Sequence, residues 1–141
     1  MISGIGGIFI YSENPGPLAA WYSKIFKLSF DEFEGGNTSY MVFWSKDDNN
    51  PKRRLDTTFS IMKAKKPIAK KVNNDDKTDM YGDRNYMLNL RLEDMQETLK
   101  HLKENDVEIL SSMDESYGLF AWILDPDGNR IELYQPVRED Y

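Results

Sequence analysis

Cysteine is absent from the 141 residues, and histidine occurs once, at position 101. The first absence removes disulfides, thiolate nucleophiles and every cysteine-based metal site. The second leaves no plausible Ser-His-acid set, because His101 falls between Leu99 and Leu102 on a predicted helix. Positive charge is also short: 18 Lys and Arg against 24 Asp and Glu give a net charge of −6. That balance argues against a nucleic-acid backbone or an anionic membrane as partner. No apolar run approaches the roughly 20 residues that span a bilayer. The apolar start, Met1 to Ile10, is short and lacks a basic leader. A cytoplasmic location is the expectation. No glycine-rich loop opens a helix; Gly4, Gly6 and Gly7 precede or enter a strand.

What is present is an ordinary soluble balance, 40% hydrophobic and 30% charged, in a length that suits one domain. Ile5 to Tyr11 is rich in β-branched and aromatic residues and reads as a strand. Asn14 and Pro15 then offer a helix start, with Leu18, Trp21, Tyr22, Ile25 and Phe26 at helical spacing. Trp21 and Tyr22 are expected to pack in the core. Leu28 to Phe33, Thr38 to Trp44 and Thr57 to Met62 read as strands, with a polar loop from Ser45 to Asp56. Lys63 to Arg84 is polar and aperiodic and reads as a connector. Its Lys63, Lys65, Lys66, Lys70 and Lys71 offer either an anion site or a solvated face.

The pattern then restarts. Tyr86 to Leu92 is a predicted strand, and Glu93 and Asp94 open a helix with Met95, Leu99 and Leu102 on one face. Asn105 is a candidate left-handed cap, and Val107 to Leu110 a short strand. Tyr117 to Leu124 and Arg130 to Gln135 form a hairpin around Asp127-Gly128, where Gly128 supplies a positive φ. The order strand, helix, strand, strand, strand thus occurs twice. The reading is an α+β fold of two βαβββ modules paired into a curved mixed sheet, with an inner cleft and outer helices. Module one covers residues 3–63, the linker 64–84 and module two 85–137, in a single domain over 1–141.

Three stretches carry a resemblance: Gly7 to Tyr11 leading to Leu18 to Tyr22; Leu88 to Val107; and Tyr117 to Tyr134, with Asp125-Pro126-Asp127-Gly128-Asn129 and Glu132. Through them the chain resembles the vicinal oxygen chelate superfamily of glyoxalase I, bleomycin-resistance proteins and extradiol dioxygenases. The resemblance implies metal positions on the first and last strands of each module. Carried over one at a time, they fall on Gly7, Met87, the Ser60 to Met62 stretch and Glu132. Only Glu132 is a proper ligand type, so no metal and no cofactor are expected.

Strand alternation then defines one face. Arg130, Glu132 and Tyr134 share a parity, as do Asn89 and Arg91 with Met87, and Phe9 and Tyr11 with Gly7. The opposite parity, Ile8, Ile10, Leu88, Leu90, Leu92, Ile131 and Leu133, is aliphatic and suits burial beneath helices. Phe120 and Trp122 share a face with each other, but alternation alone leaves its side open. The candidate ligand-binding residues are Phe9, Tyr11, Asn89, Arg91, Trp122, Arg130 and Tyr134. Glu132 is the candidate catalytic residue, as a general base or partner for a cation. Its other reading is structural, paired with an arginine or accepting a bond from a tyrosine. Asn89 divides likewise between orienting a ligand carbonyl and satisfying a backbone group or water inside the cleft.

Two functions follow: a protein that binds a small aromatic or amphipathic molecule without a metal, or a lyase, isomerase or dioxygenase with an altered metal set or Glu132 acid–base chemistry. A third is a domain whose cleft is vestigial and whose role is association. The resemblance also implies a homodimer.

Overall fold

The structure is a computed structural model, and it describes residues 1–69, 82 and 84–137. The chain divides into two compact units, Met1–Ala69 and Lys70–Tyr141. Each unit is a βαβββ module.

In the first unit, β1 (Gly7–Ser12) leads into α1 (Pro15–Phe26), followed by β2 (Asp31–Phe33), a short 3-10 turn, β3 (Thr38–Asp47) and β4 (Asn50–Lys63). The sheet order is β1-β4-β3-β2, with β1 parallel to β4 and the other pairs antiparallel. Pro15 occupies the first turn of α1, where its missing N–H would have had no partner. Asn14 makes no side-chain cap; the Asn14 N–H instead donates to Ser12 Oγ at 3.0 Å. Lys27 ends the helix in the left-handed conformation, φ 55°. Leu18, Tyr22 and Ile25 of α1 bury against the sheet with Ile10, Phe59 and Ile61, and Tyr22 meets Phe59 edge-on at 5.4 Å. Tyr22 is thus core, as expected, while Trp21 is half-buried with its ring edge-on to Tyr22 at 5.0 Å.

In the second unit, β5 (Leu88–Arg91) leads into α2 (Met95–Glu104), then β6 (Ser111–Glu115), β7 (Gly118–Leu124) and β8 (Arg130–Pro136). The order β5-β8-β7-β6 repeats that of the first sheet, again with the first and last strands parallel. Asp94 caps α2 by accepting the Glu97 N–H at 2.9 Å. Leu88, Ile131, Leu133, Ala121 and Ile123 form one buried face, closed by Met95 and Leu102 of α2. The aliphatic parity read from the sequence is therefore the helix-covered side. Across the β7–β8 connection, Asp125 accepts from Asp127 N, Asn129 N and Asn129 Nδ2 at 2.9, 2.9 and 2.8 Å. Gly128 has φ 79°, as the turn requires.

Four local expectations are corrected. The predicted loop Ser45 to Asp56 is mostly strand: β3 and β4 continue to pair as far as Asp47↔Asn50, with an irregularity at Lys46/Asp47. The strand predicted over Leu28 to Phe33 is only its last three residues. The strand predicted at Val107 to Leu110 lies at Ser111–Glu115 instead. The left-handed residue after α2 is Asp106, φ 58°, not Asn105. Within the connector, Lys70 and Lys71 lie outside the described residues. No helix among the described residues is long and apolar enough to cross a membrane.

Candidate functional site

Sheet two has one face covered by α2 and one without a helix. Register decides which side chains share the second. Asn89 pairs with Glu132, and Glu132 pairs with Trp122; beside that row, Arg91 pairs with Tyr134 and Tyr134 with Phe120. Directly opposed residues point the same way. This settles the side on which Phe120 and Trp122 stand: it is the face of Glu132.

Glu132 is held at both oxygens. Asn89 Nδ2 donates to Oε1 at 2.6 Å, and Trp122 Nε1 donates to Oε2 at 3.0 Å. Neither the arginine nor the tyrosine of the structural reading provides these bonds. Asn89 thus binds a side chain, Glu132, and not the backbone group or water of its structural reading. A carboxylate has about four lone-pair positions, so these two bonds leave acceptor capacity. Trp122 is buried, whereas Glu132 is half-buried and Asn89 and Arg91 are exposed. From Trp122 a ladder of near-parallel rings runs along the sheet: Trp122 to Phe120 at 6.2 Å and 13°, then Phe120 to Tyr134 at 5.1 Å and 18°. Tyr117 meets Phe120 edge-on at 5.7 Å. Arg130 lies on the same face, its side chain alongside the backbone of Gly82. Tyr117 is not among the candidate residues named from sequence, where Phe120 is raised only as added aromatic surface beside Trp122.

Phe9 and Tyr11 belong to sheet one. They lie on its helix-free face, paired with Ser60 and Met62, and are 54% and 58% exposed. Phe33, Tyr40 and Trp44 share that face by register.

Just upstream of β5, Arg84 Nη2 donates to the Asp127 carbonyl at 2.9 Å, tying this segment to the hairpin turn. Tyr86 sits in the same cluster. Although the residue is 52% exposed, desolvation of its buried part raises the phenol above the ordinary value of 10.0; Arg84 opposes that shift and Asp125 adds to it.

A family model described as the Glyoxalase/Bleomycin resistance protein/Dioxygenase superfamily matches residues 4–133. The chain belongs to that superfamily. No curated protein matches it. Among solved structures it is similar to a virulence protein from Salmonella typhimurium at 14% identity and TM-score 0.64, covering 97% of this chain and 99% of that one. It is also similar to a lactoylglutathione lyase from Agrobacterium tumefaciens at 14% identity and TM-score 0.61, covering 95% and 94%. A possible glyoxalase from Bacillus cereus matches at 15% identity and TM-score 0.59, covering 94% and 98%. At these identities the likeness is one of fold.

The superfamily's divalent metal finds a poor fit in these residues. At Gly7 a Cβ would stand 2.9 Å from the Phe9 ring and 2.9 Å from the Thr58 carbonyl, so no ligating side chain fits without displacing them. Met87, just before β5, offers only a thioether, a weak donor for a hard cation. Ser60 pairs with Phe9 and brings neither carboxylate nor imidazole to sheet one. Among the described residues no group of three His, Cys, Asp or Glu converges. His101 is on α2, on the other side of sheet two from Glu132. The remaining carboxylate, Glu132, is already engaged at both oxygens by neutral donors.

Proposed function

We propose that this superfamily member binds a small aromatic or amphipathic molecule on the helix-free face of sheet two, without a metal ion. One observation carries the reading: Glu132, fixed by Asn89 and Trp122, stands at the end of the ring ladder Trp122–Phe120–Tyr134. The partly exposed rings of Phe120 and Tyr134 supply surface for a flat ligand, with buried Trp122 behind them. A carboxylate with acceptor positions left over selects a ligand that carries N–H donors. Arg91, exposed on the same face, and Arg130 supply ionic contacts at its margin. Phe9 and Tyr11, exposed on sheet one, are proposed separately as an aromatic binding surface of the first unit.

The test is a fluorescence titration of the full chain in EDTA with two planar probes, proflavine, which carries amino groups, and anthracene carboxylate, which does not. Proflavine is expected to bind and to raise the unfolding temperature by mass action. Glu132→Gln should weaken proflavine about tenfold or more, the scale of a hydrogen bond to a charged group, and should not weaken the anionic anthracene probe, which the loss of a like charge can only favour. Binding that appears only on addition of a divalent ion would contradict the proposal and favour the enzyme reading.

A homodimer in the cytoplasm belongs to the same proposal. The absence of cysteine supports a reducing compartment. The support for self-association is the exposed aromatic surface of sheet one, where Phe9, Tyr11, Phe33 and Trp44 are each more than half exposed. Such a patch marks an interaction surface more often than a bare monomer face.

A further inference from the structure

The ring ladder begins at Tyr134, and its pose depends on a residue with no side chain. Gly118 opens β7 opposite Pro136, two pairs beyond Phe120↔Tyr134 and on the same face. A Cβ placed on Gly118 would stand 2.4 Å from Tyr134 Cε2, 3.1 Å from its Cδ2 and 3.2 Å from Phe120 Cε2. Carbon atoms in contact sit near 3.5–4.0 Å. The backbone itself makes no demand for glycine: the glycines with positive φ are Gly4, Gly35, Gly36 and Gly128, and Gly118 is not among them. A glycine within a strand weakens it and calls for a reason, such as the close approach of another group. Here that group is the Tyr134 ring, which lies down over the bare backbone and so comes parallel to Phe120 at 5.1 Å.

We infer that Gly118 is a positioning residue: its missing side chain sets the tilt of Tyr134 and thereby the ring geometry that the ladder offers to a planar ligand. The ligand half of this inference rests on the binding function proposed above; the ring half does not. Alanine at position 118 is compatible with the backbone, and it would push the Tyr134 ring off Phe120. The far end of the ladder, Trp122 and Glu132, would keep its hydrogen bond.

The experiment compares wild type, Gly118→Ala, Tyr134→Leu and the double variant, each first shown to unfold cooperatively. In ligand-free protein the Tyr134 ring protons should be shifted upfield in the NMR spectrum by the stacked Phe120. Gly118→Ala should return them toward ordinary tyrosine values while the Trp122 Nε1 proton keeps its position. Proflavine affinity should fall by up to about tenfold in Gly118→Ala, the range of one stacked aromatic contact. Tyr134→Leu should cost a similar factor, and the double variant should bind no more weakly than Tyr134→Leu alone. The Tyr134 signals staying in place in Gly118→Ala would overturn the inference. So would losses that multiply in the double variant. If the wild type fails to bind proflavine, the binding function falls, and the Tyr134 shift still decides the role of Gly118.

Discussion

Glu132 is the residue on which the two readings of this chain diverge, and its hydrogen bonds make specific demands on any substitute. With glutamine, the amide oxygen can still accept from Trp122 Nε1, and Asn89 can turn its amide so that Oδ1 accepts from the new NH2. Both contacts survive. Glu132→Gln is therefore expected to change stability in urea by less than about 1 kcal/mol. Glu132→Ala strands the indole N–H of buried Trp122 and is expected to cost about 1–3 kcal/mol. Equal losses in the two variants would show that the hydrogen bonds do not hold the face together. Tyr86 gives a second residue-scale test. Its phenol is raised chiefly by desolvation. A raised folded-state value means the folded protein favours the protonated form, so this contribution is complete below the unfolded value and is lost as pH rises through the folded one. Stability should thus fall more steeply above about pH 10 in wild type than in Tyr86→Phe. Equilibrium unfolding from pH 8 to 11 checks the difference. Much of this residue-scale picture could be read in advance. Alternation placed Asn89, Arg91, Arg130, Glu132 and Tyr134 on common faces. The Trp122–Glu132 contact was missed, although the turn contained the signal: once Leu124 faces Arg130 across Asp125 to Asn129, counting back puts Trp122 opposite Glu132. Gly118 gave no signal in sequence, because its role depends on where a ring on another strand lies.

At the scale of elements, the strongest local instruction is the hairpin turn. Asp125 is buried and takes up both backbone N–H groups and the side-chain amide within the loop, so the register of β7 on β8 depends on it. Asp125→Ala is expected to cost about 2–4 kcal/mol, the range for leaving several donors unsatisfied, measured by chemical denaturation. The reverse holds for the outer part of the β3–β4 hairpin. Beyond Phe43↔Thr57 its strands pair only with each other, since β2 reaches β3 only at Thr38 to Tyr40 and β1 ends its pairing with β4 at Thr58. Replacing Ser45 to Leu55 by a short Asn-Gly turn should leave cooperative unfolding intact and lower the midpoint only slightly; loss of folding would show that the arm belongs to the core. This arm leaves almost no trace in the sequence. Its Ser45-to-Asp56 stretch is polar and carries no alternation of apolar residues, because neither of its faces is buried. Arg54 over Trp44 at 5.2 Å and the Arg53–Asp47 pair at 3.0 Å are surface contacts that composition does not announce. The same reasoning explains β6. Ser111–Glu115 is an edge strand with polar residues on both sides, so the more apolar Val107 to Leu110 drew the assignment.

For the whole molecule, the doubled βαβββ order was legible because each module repeats the same alternation between a helix-covered aliphatic face and a mixed face. The reaction was not legible from architecture, and the superfamily's breadth explains why. The proposed homodimer is checked by size-exclusion chromatography with light scattering: a mass near 33 kDa, about twice the 16.5 kDa chain, is expected, and a monomer at all concentrations would remove that part of the proposal. In the proposed function Glu132 serves a small ligand directly, not through a metal ion. Its most direct test is proflavine binding in the presence of EDTA, compared between wild type and Glu132→Gln. The wild type is expected to bind saturably, unchanged by chelation, and the variant at least about tenfold more weakly. Binding that disappears in EDTA and returns with a divalent ion would contradict the proposed function.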